Sequence, residues 1–230
     1  MTPIMFMEND FLIAYRRLYP IALQVLGDME HDDELIAALV GGSSSQAQVK
    51  KWMRGYGLFQ GIRSEARERV AATFLDFHRQ TREPHTPSQT RQHEFKTLLS
   101  QLHACVPRGW LSATSKLLWC MHPNETVIFD AFVLRSVLVL QHLVPDLIAT
   151  GRHLGLPPVI RHRSDVDAAC DWYWRYANKV TTLHKLADGI RKEFRGSPGS
   201  DYPYAIRITD KVLWIMGSPA TLTDSNRHVL

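Results

Sequence analysis

Hydrophobic residues recur along the chain at the three- and four-residue spacing of helix faces. The first such stretch runs from Phe11 to Leu26, with Pro20 as an expected kink or break and Gly27 at its end. No segment shows the strict alternation of apolar and polar residues that predicts a half-buried strand. The pattern therefore predicts an all-α protein.

Shorter helices are expected next, separated by residues that favour turns. Asp32 and Asp33 stand where the N-cap of a second helix is expected, and Gly41–Ser45 predicts a flexible turn behind it. Apolar spacing predicts further helices within 49–56, 66–77 and 95–106, with a polar, proline-marked connection at 83–87.

The second half of the chain predicts a long helix and a short last one. Helical spacing holds from Asp165 to Phe194, roughly eight turns at about 3.6 residues each, which predicts the longest helix, ended by Gly196. Ile208–Met216 predicts the last helix. We interpret residues 1–219 as one helical domain, with two lobes around a cleft as the alternative arrangement, and residues 220–230 as a C-terminal tail.

Composition places the chain among ordinary globular proteins. It has 230 residues, of which 45% are hydrophobic and 22% charged, enough to build a hydrophobic core. Lys and Arg number 27 against 23 Asp and Glu, a mild basic excess that is compatible with a polyanionic partner. The N-terminus lacks the basic segment of a secretory signal, and no membrane span is expected.

Cysteine and histidine usage argues against a bound metal. Cys105, Cys120 and Cys170 are odd in number and form no Cys-x-x-Cys pair, so neither a disulfide framework nor a structural zinc site is expected. No His-Glu-x-x-His motif and no glycine-rich phosphate loop is present. We therefore expect a protein of the reducing cytoplasm that uses neither a metal nor a cofactor.

The first candidate for chemistry is a lysine near the start of a helix. Ser112 is the expected N-cap, which places Lys116 in the first turns. The helix dipole, the nearby Arg108 and partial burial all disfavour a second positive charge, so we expect a lowered pKa for this amine. An amine of this kind is a nucleophile.

The second candidate is an aspartate fourteen residues further on, since 130 − 116 = 14. The helix of Lys116 must end by His122 because Pro123 follows, and an extended path from Asn124 would bring Asp130 back to the level of Lys116. Asp130 then precedes another helix as its N-cap, where its carboxylate stays ionised. A lysine amine facing a carboxylate is suited to breaking an N-glycosidic bond.

These residues resemble the helix-hairpin-helix DNA glycosylases, and more narrowly the 8-oxoguanine-glycosylase-like proteins of bacteria. The resemblance covers roughly residues 95–140 and 200–217, and Ile206–Trp214 is similar to the closing helix of that group. It implies that Lys116 and Asp130 are the catalytic residues. It also implies a DNA-gripping hairpin and helix start at Arg108, Gly109, Trp110, Ser112 and Ser115.

A glycosylase of this kind extrudes the target base into a pocket, where aromatic rings stack on it. The candidates for this pocket are Trp172, Trp214, Phe132 and His122. For Trp214 a core position is the alternative. For Tyr173 and Tyr176 we favour core packing.

The resulting hypothesis is a monomeric bacterial DNA N-glycosylase that flips a modified base out of double-stranded DNA and leaves an abasic site. Associated lyase activity would follow if Lys116 is the nucleophile. The resemblance implies a role in base excision repair or in defence against phage DNA that carries modified bases. The alternatives are a noncatalytic helix-hairpin-helix DNA-binding protein and a helical protein-interaction module.

Three basic clusters are candidates for contacts with DNA phosphates. Each is equally open to interpretation as a solvated helix face. The clusters are Lys50-Lys51 with Arg54, Arg161 to Arg163, and Arg191-Lys192 with Arg195.

Overall fold

The computed structural model describes residues 3–27, 30–82, 91–149 and 153–218. These residues form helices joined by turns and irregular segments, with no strand among them, so the all-α prediction is confirmed. The predicted connection at 83–87 and the predicted tail lie outside the described residues. The helices are α1 (Pro3–Gly27), α2 (Glu30–Gly41), α3 (Gln46–Gly55), α4 (Ser64–Arg82), α5 (Arg91–Cys105), α6 (Leu111–Met121), α7 (Ala131–Leu140), α8 (Pro145–Ala149), α9 (Asp165–Leu186), α10 (Asp188–Glu193) and α11 (Ala205–Gly217).

The chain divides into two compact units. The terminal unit contains the described parts of 1–29, 127–156 and 175–230, and the central unit contains those of 30–126 and 157–174. Helix α9 begins in the central unit and ends in the terminal unit. The interpretation of residues 1–219 as one domain stays a prediction.

Helices α7 and α11 make the closest packing of the terminal unit. Gly217 lies directly against the main chain of Phe132, where no side chain would fit. Near this crossing the Ser136 hydroxyl donates to the carbonyl oxygen of Leu213 at 2.7 Å. The residue without a side chain therefore permits the two helices to approach backbone to backbone.

A chain of hydrogen bonds runs through the same unit. The hydroxyls of Tyr15 and Thr209 lie 2.8 Å apart, and Nδ1 of His184 lies 2.9 Å from the Thr209 hydroxyl. Arg191 can only donate, and its Nη1 lies 3.0 Å from Nε2 of His184. The proton of the neutral ring is therefore on Nδ1. Burial, and then the charge of Arg191, lower the pKa of His184 from its usual value of 6.5 to about 4.

Helix α2 of the central unit corrects one prediction. Asp32 and Asp33 both lie inside α2, not at its N-cap, and the side chain of Asp32 is buried. The Trp52 indole N–H donates to this carboxylate at 2.8 Å, and the Tyr56 hydroxyl donates to it at 2.7 Å. The carboxylate thus has donors from α3 and from its C-cap residue, which no local capping rule can anticipate.

The aromatic residues of α9 pack into the core, as predicted for Tyr173 and Tyr176. Tyr173 stacks on Phe95 of the central unit, with ring centroids 3.8 Å apart. Tyr176 donates its hydroxyl to the carbonyl oxygen of Ile128 in the terminal unit at 2.9 Å. Both side chains are fully buried.

Two helix boundaries differ from the prediction. The predicted helix from Asp165 to Phe194 is wrong, because α9 ends at Leu186 and Ala187 leaves the helical conformation (φ −84°, ψ 2°) before α10 begins. The apolar spacing continues because Ala187 and Ile190 are both buried across this break. Helix α1, with 25 residues against 22 in α9, is also the longer one, since it continues through Pro20.

Candidate active site

The start of α6 differs from the prediction. The N-cap is Trp110, without a side-chain capping bond, so the assignment of Ser112 as N-cap is wrong. Because α6 begins at Leu111, Ser112 lies within the helix one turn before Lys116. Its hydroxyl accepts a hydrogen bond of 2.8 Å from Nζ of Lys116. Ser112 therefore positions the lysine instead of capping the helix.

Lys116 is buried in the central unit, with 4% of its surface exposed. Its Nζ lies 5.7 Å from the centre of the Tyr56 ring, within cation–π range. Tyr56 is in turn held by its hydrogen bond to Asp32. Lysine is almost never fully buried, and a desolvated lysine amine is activated as a nucleophile. The Lys116 amine thus occupies a built environment and does not extend into solvent.

Sequence reasoning did not find Tyr56. The available signal was its four-residue spacing from Trp52: Tyr56 is the C-cap of α3, and the two ring centroids lie 4.6 Å apart. Nothing in that spacing connects Tyr56 to Lys116, which lies sixty residues further along, since 116 − 56 = 60.

Asp130 is the N-cap of α7, as predicted. Its backbone is extended (φ −140°, ψ 146°), and its side chain accepts a hydrogen bond of 3.0 Å from the main-chain N–H of Phe132. The approach to it is less extended than predicted, because the N–H groups of Glu125 and Thr126 both bond to the carbonyl of His122 at 3.1 Å. The chain first turns after α6 and then runs without regular structure from 126 to 130.

Two predicted pocket residues lie together in the terminal unit. Phe132 and Trp214 meet edge to face, with ring centroids 5.7 Å apart and planes at 87°. Arg135 lies 5.2 Å from the centre of the Phe132 ring, and Nζ of Lys211 lies 4.6 Å from that of Trp214. These rings follow Asp130 directly, since Phe132 donates the N–H that the carboxylate accepts.

Lys211 is a second residue that sequence reasoning missed. Only 7% of its surface is exposed. The signal was present, because Lys211 and Trp214 are three residues apart and so share a helix face. Lys211 is one of three buried charged residues of α11, with Arg207 and Asp210, and it is the one beside the aromatic pair.

The other two pocket candidates, His122 and Trp172, are in the central unit. Trp172 is buried. Nε2 of His122 lies 3.2 Å from the carboxylate of Glu94, which also accepts a bond of 2.6 Å from Arg91. Burial alone would raise the pKa of Glu94, but the bonds from His122 and Arg91 outweigh it, and the pKa is lowered.

His122 borders a cavity of about 160 Å³ in the central unit. Apolar and polar side chains share its wall: Leu39, Val40, His78, Thr81, Cys120, Met121 and His122. The four pocket candidates thus fall into one pair of touching rings, Phe132 and Trp214, and two residues of the other unit.

The predicted DNA-gripping segment makes mostly internal contacts. The Trp110 ring is buried, and its N–H donates to the carbonyl of Val106 at 2.8 Å. Arg108 lies over this ring at 4.9 Å and donates to the carbonyl of Gln60 at 3.0 Å. Ser115 is buried and donates to the carbonyl of Ser112. Gly109 is exposed, with nothing within 4 Å of a side chain added there.

Comparison of the chain with protein-family models, with curated proteins and with solved structures found no match. Within the described ranges, no group of three or more His, Cys, Asp or Glu side chains is arranged to hold a metal ion. No described helix combines the length and the hydropathy that crossing a membrane requires. The resemblance to the glycosylases stays a hypothesis drawn from the sequence.

Proposed function

We propose that this protein is a DNA N-glycosylase that removes a modified base from double-stranded DNA. The observation that carries the proposal is the Asp130 carboxylate, fixed at the start of α7 immediately before the edge-to-face pair of Phe132 and Trp214. Cleavage of a glycosidic bond develops positive charge on the sugar, which a carboxylate stabilises, and an extruded base stacks on aromatic rings.

In the proposed reaction the bond between C1′ and the base nitrogen breaks, and the base leaves with the electron pair. Asp130 stabilises the cationic sugar. The new bond to C1′ comes either from water, whose proton passes to Asp130, or from the amine of Lys116. Water leaves an abasic site. The amine forms a C1′–N bond, and the C1′–O4′ bond then breaks as a proton passes from the nitrogen to O4′, which leaves an imine from which elimination of the 3′ phosphate cleaves the strand.

The surroundings of Lys116 support a chemical role for its amine. Taking a lysine out of water is unfavourable unless its amine has partners, and here Ser112 and the Tyr56 ring supply two of them. A lysine that served only solubility would need neither burial nor positioning.

The decisive experiment treats duplex oligonucleotides, each with a different modified base, with the protein and then with alkali, which breaks the strand at abasic sites. We expect cleavage of at least one duplex and a loss of roughly 10²–10⁴-fold in Asp130→Asn, the range for a positioned acid or base. Asparagine caps a helix as well as aspartate does, so this variant keeps the fold and loses the charge. Cleavage by Asp130→Asn at the wild-type rate would refute the proposal.

Borohydride reduction tests the lysine. An imine between Lys116 and the opened sugar would be trapped as a covalent complex, and Lys116→Met would abolish it. Lys179→Met is the matched control, because Lys179 is also buried, its pKa is lowered by burial, and it donates to the carbonyl of Leu147. Excision without trapping would assign the attack on C1′ to water.

Binding of all duplexes without cleavage of any would favour the noncatalytic DNA-binding alternative. The observation that favours this second candidate function is that Gly109, next to Arg108 in the predicted hairpin, is exposed. Such a protein would need the hairpin but neither Asp130 nor Lys116.

A further inference from the structure

The three basic clusters of the sequence differ in how far their charge is already neutralised. In the first cluster, Lys50 pairs with Glu68 and Lys51 pairs with Glu34, all within the central unit. A phosphate bound there would have to compete with two carboxylates. The first cluster is therefore a poor site for a polyanion.

The third cluster is neutralised in part, by one carboxylate that pairs with two of its three cations. In the terminal unit Asp188 pairs with Arg191 at 3.0 Å and with Lys192 at 2.8 Å. These bonds lower the pKa of Asp188, so the carboxylate is ionised at neutral pH and holds both cations. Arg191 also donates to His184, which ties it to the protein interior.

The second cluster has a different environment. Arg161, His162 and Arg163 are all exposed, and neither arginine forms a salt bridge with any carboxylate in the described part of the chain. They lie in a turn ahead of α9, not on a helix face. The charge of Arg161 contributes to the lowered pKa of Asp165, but neither guanidinium is bonded to a carboxylate in the described residues, so both remain available to an external anion.

This turn is ordered by the side chain of Asp165, the first residue of α9, which accepts two of its main-chain N–H groups. The Asp165 carboxylate accepts the N–H of Arg161 at 2.8 Å and that of His162 at 2.9 Å, and these bonds lower the pKa of Asp165. The N–H of Asp165 in turn donates to the carbonyl of His162 at 3.0 Å. The Asp165 side chain and main-chain groups hold the turn, so neither arginine side chain is used to hold it.

We propose that the turn of Arg161–Arg163 binds the phosphodiester backbone of DNA, with each guanidinium on one phosphate. Arginine presents its donors in a fork that matches the phosphate oxygens, and the ordered turn reduces the entropy lost on binding. This inference rests on the proposed function for the identity of the polyanion. The turn is selected over the other two clusters because both of its arginines lack a salt bridge within the described residues, whereas in the first and third clusters only Arg54 and Arg195 do.

The test measures the affinity for an unmodified duplex oligonucleotide as a function of salt, by fluorescence polarisation. Each neutralised phosphate contributes about 0.9 to the slope of log affinity against log salt, so Arg161→Gln with Arg163→Gln should lower the slope by about 1.8. Between about 50 and about 200 mM potassium chloride, wild type should then lose about 12-fold more affinity than the double variant.

The matched control is Lys50→Gln with Lys51→Gln, which removes the same charge from the neutralised cluster. It should leave the slope close to that of wild type. Equal slopes for wild type and the turn variant would overturn the inference, and so would an equal loss in the control pair. Far-ultraviolet circular dichroism verifies that both variants fold, which the exposure of the turn leads us to expect.

A lipid surface is the competing partner, because the apolar Val159, 69% exposed, lies just ahead of the turn. Vesicles of equal phosphatidylserine and phosphatidylcholine test it. Loss of vesicle binding in the turn variant, with an unchanged DNA slope, would overturn the proposal. The outcome is independent of catalysis: a changed slope without excision would refute only the glycosylase, and excision with an unchanged slope only the phosphate site.

Discussion

Replacement of Gly217 by alanine should destabilise the terminal unit, although alanine is the better helix former. Gly217 is the last residue of α11, and a Cβ added there would lie 2.8 Å from the carbonyl carbon of Phe132 and nearer still to its oxygen. It would also lie 3.0 Å from the Ser136 hydroxyl. The obstacle is main chain, which cannot rotate away, so α7 and α11 must move apart.

The magnitude is the difference of two opposing effects. Alanine gains about 0.5–1 kcal/mol over glycine in a helix, and overpacking costs typically about 1–3 kcal/mol, with the upper end expected against backbone. The net loss is then about 2 kcal/mol. Gly55→Ala is the matched control, because Gly55 also ends a helix, neither glycine has a positive φ, and nothing lies within 4 Å of its added Cβ.

Urea unfolding followed by circular dichroism measures both variants, with the midpoint and the slope compared separately. We expect a lower midpoint for Gly217→Ala and an unchanged or higher one for Gly55→Ala. A Gly217→Ala protein that unfolds at the same urea concentration as Gly55→Ala would refute the packing of α7 against α11. Because Phe132 adjoins Asp130, the variant should also lose excision activity where it still folds.

Two further predictions concern buried polar groups. Burial and the charge of Arg191 lower the pKa of His184 to about 4, so the unfolded chain is protonated at this residue at a higher pH than the folded chain. The free energy of unfolding should therefore fall as the pH drops from 6.5 towards 4. His184→Gln should flatten this part of the curve of stability against pH, and an unchanged curve would contradict the buried neutral ring. Asp32→Ala should lower the free energy of unfolding in urea by about 2–3 kcal/mol, since it leaves the donors of Trp52 and Tyr56 without their charged acceptor. A loss below that of an exposed control such as Asp76→Ala would show that these two hydrogen bonds do not anchor α2 to α3.

Local rules accounted for the fold class and, in the candidate site, for Asp130 as the N-cap of α7. Helical spacing alone predicted the helical segments, Pro123 ended α6 at its C-cap His122, and the position of Asp130 before an apolar helix made it an N-cap. Each of these follows from the backbone chemistry of residues within a few positions of one another, which is why they were readable without tertiary structure.

Local rules failed where apolar residues keep a helical spacing across the end of a helix. Buried residues on both sides of Ala187 satisfy one helical period, but Ala187 leaves the helical conformation and a second helix begins after it. In the same way Ser112 had the residue type of a cap, but α6 begins ahead of it. Apolar periodicity records which side chains are buried, and it does not record whether the backbone between them is one helix or two.

The sequence by itself determined an all-helical chain with a capping aspartate and a lysine early in a helix. Only the tertiary structure decided that Lys116 is buried beside Tyr56 and that Glu68 and Glu34 neutralise Lys50 and Lys51. Burial and neutralisation depend on partners that come from elements far apart in the chain. No local pattern encodes which element will pack there, because the free energy that selects it belongs to the whole packed unit.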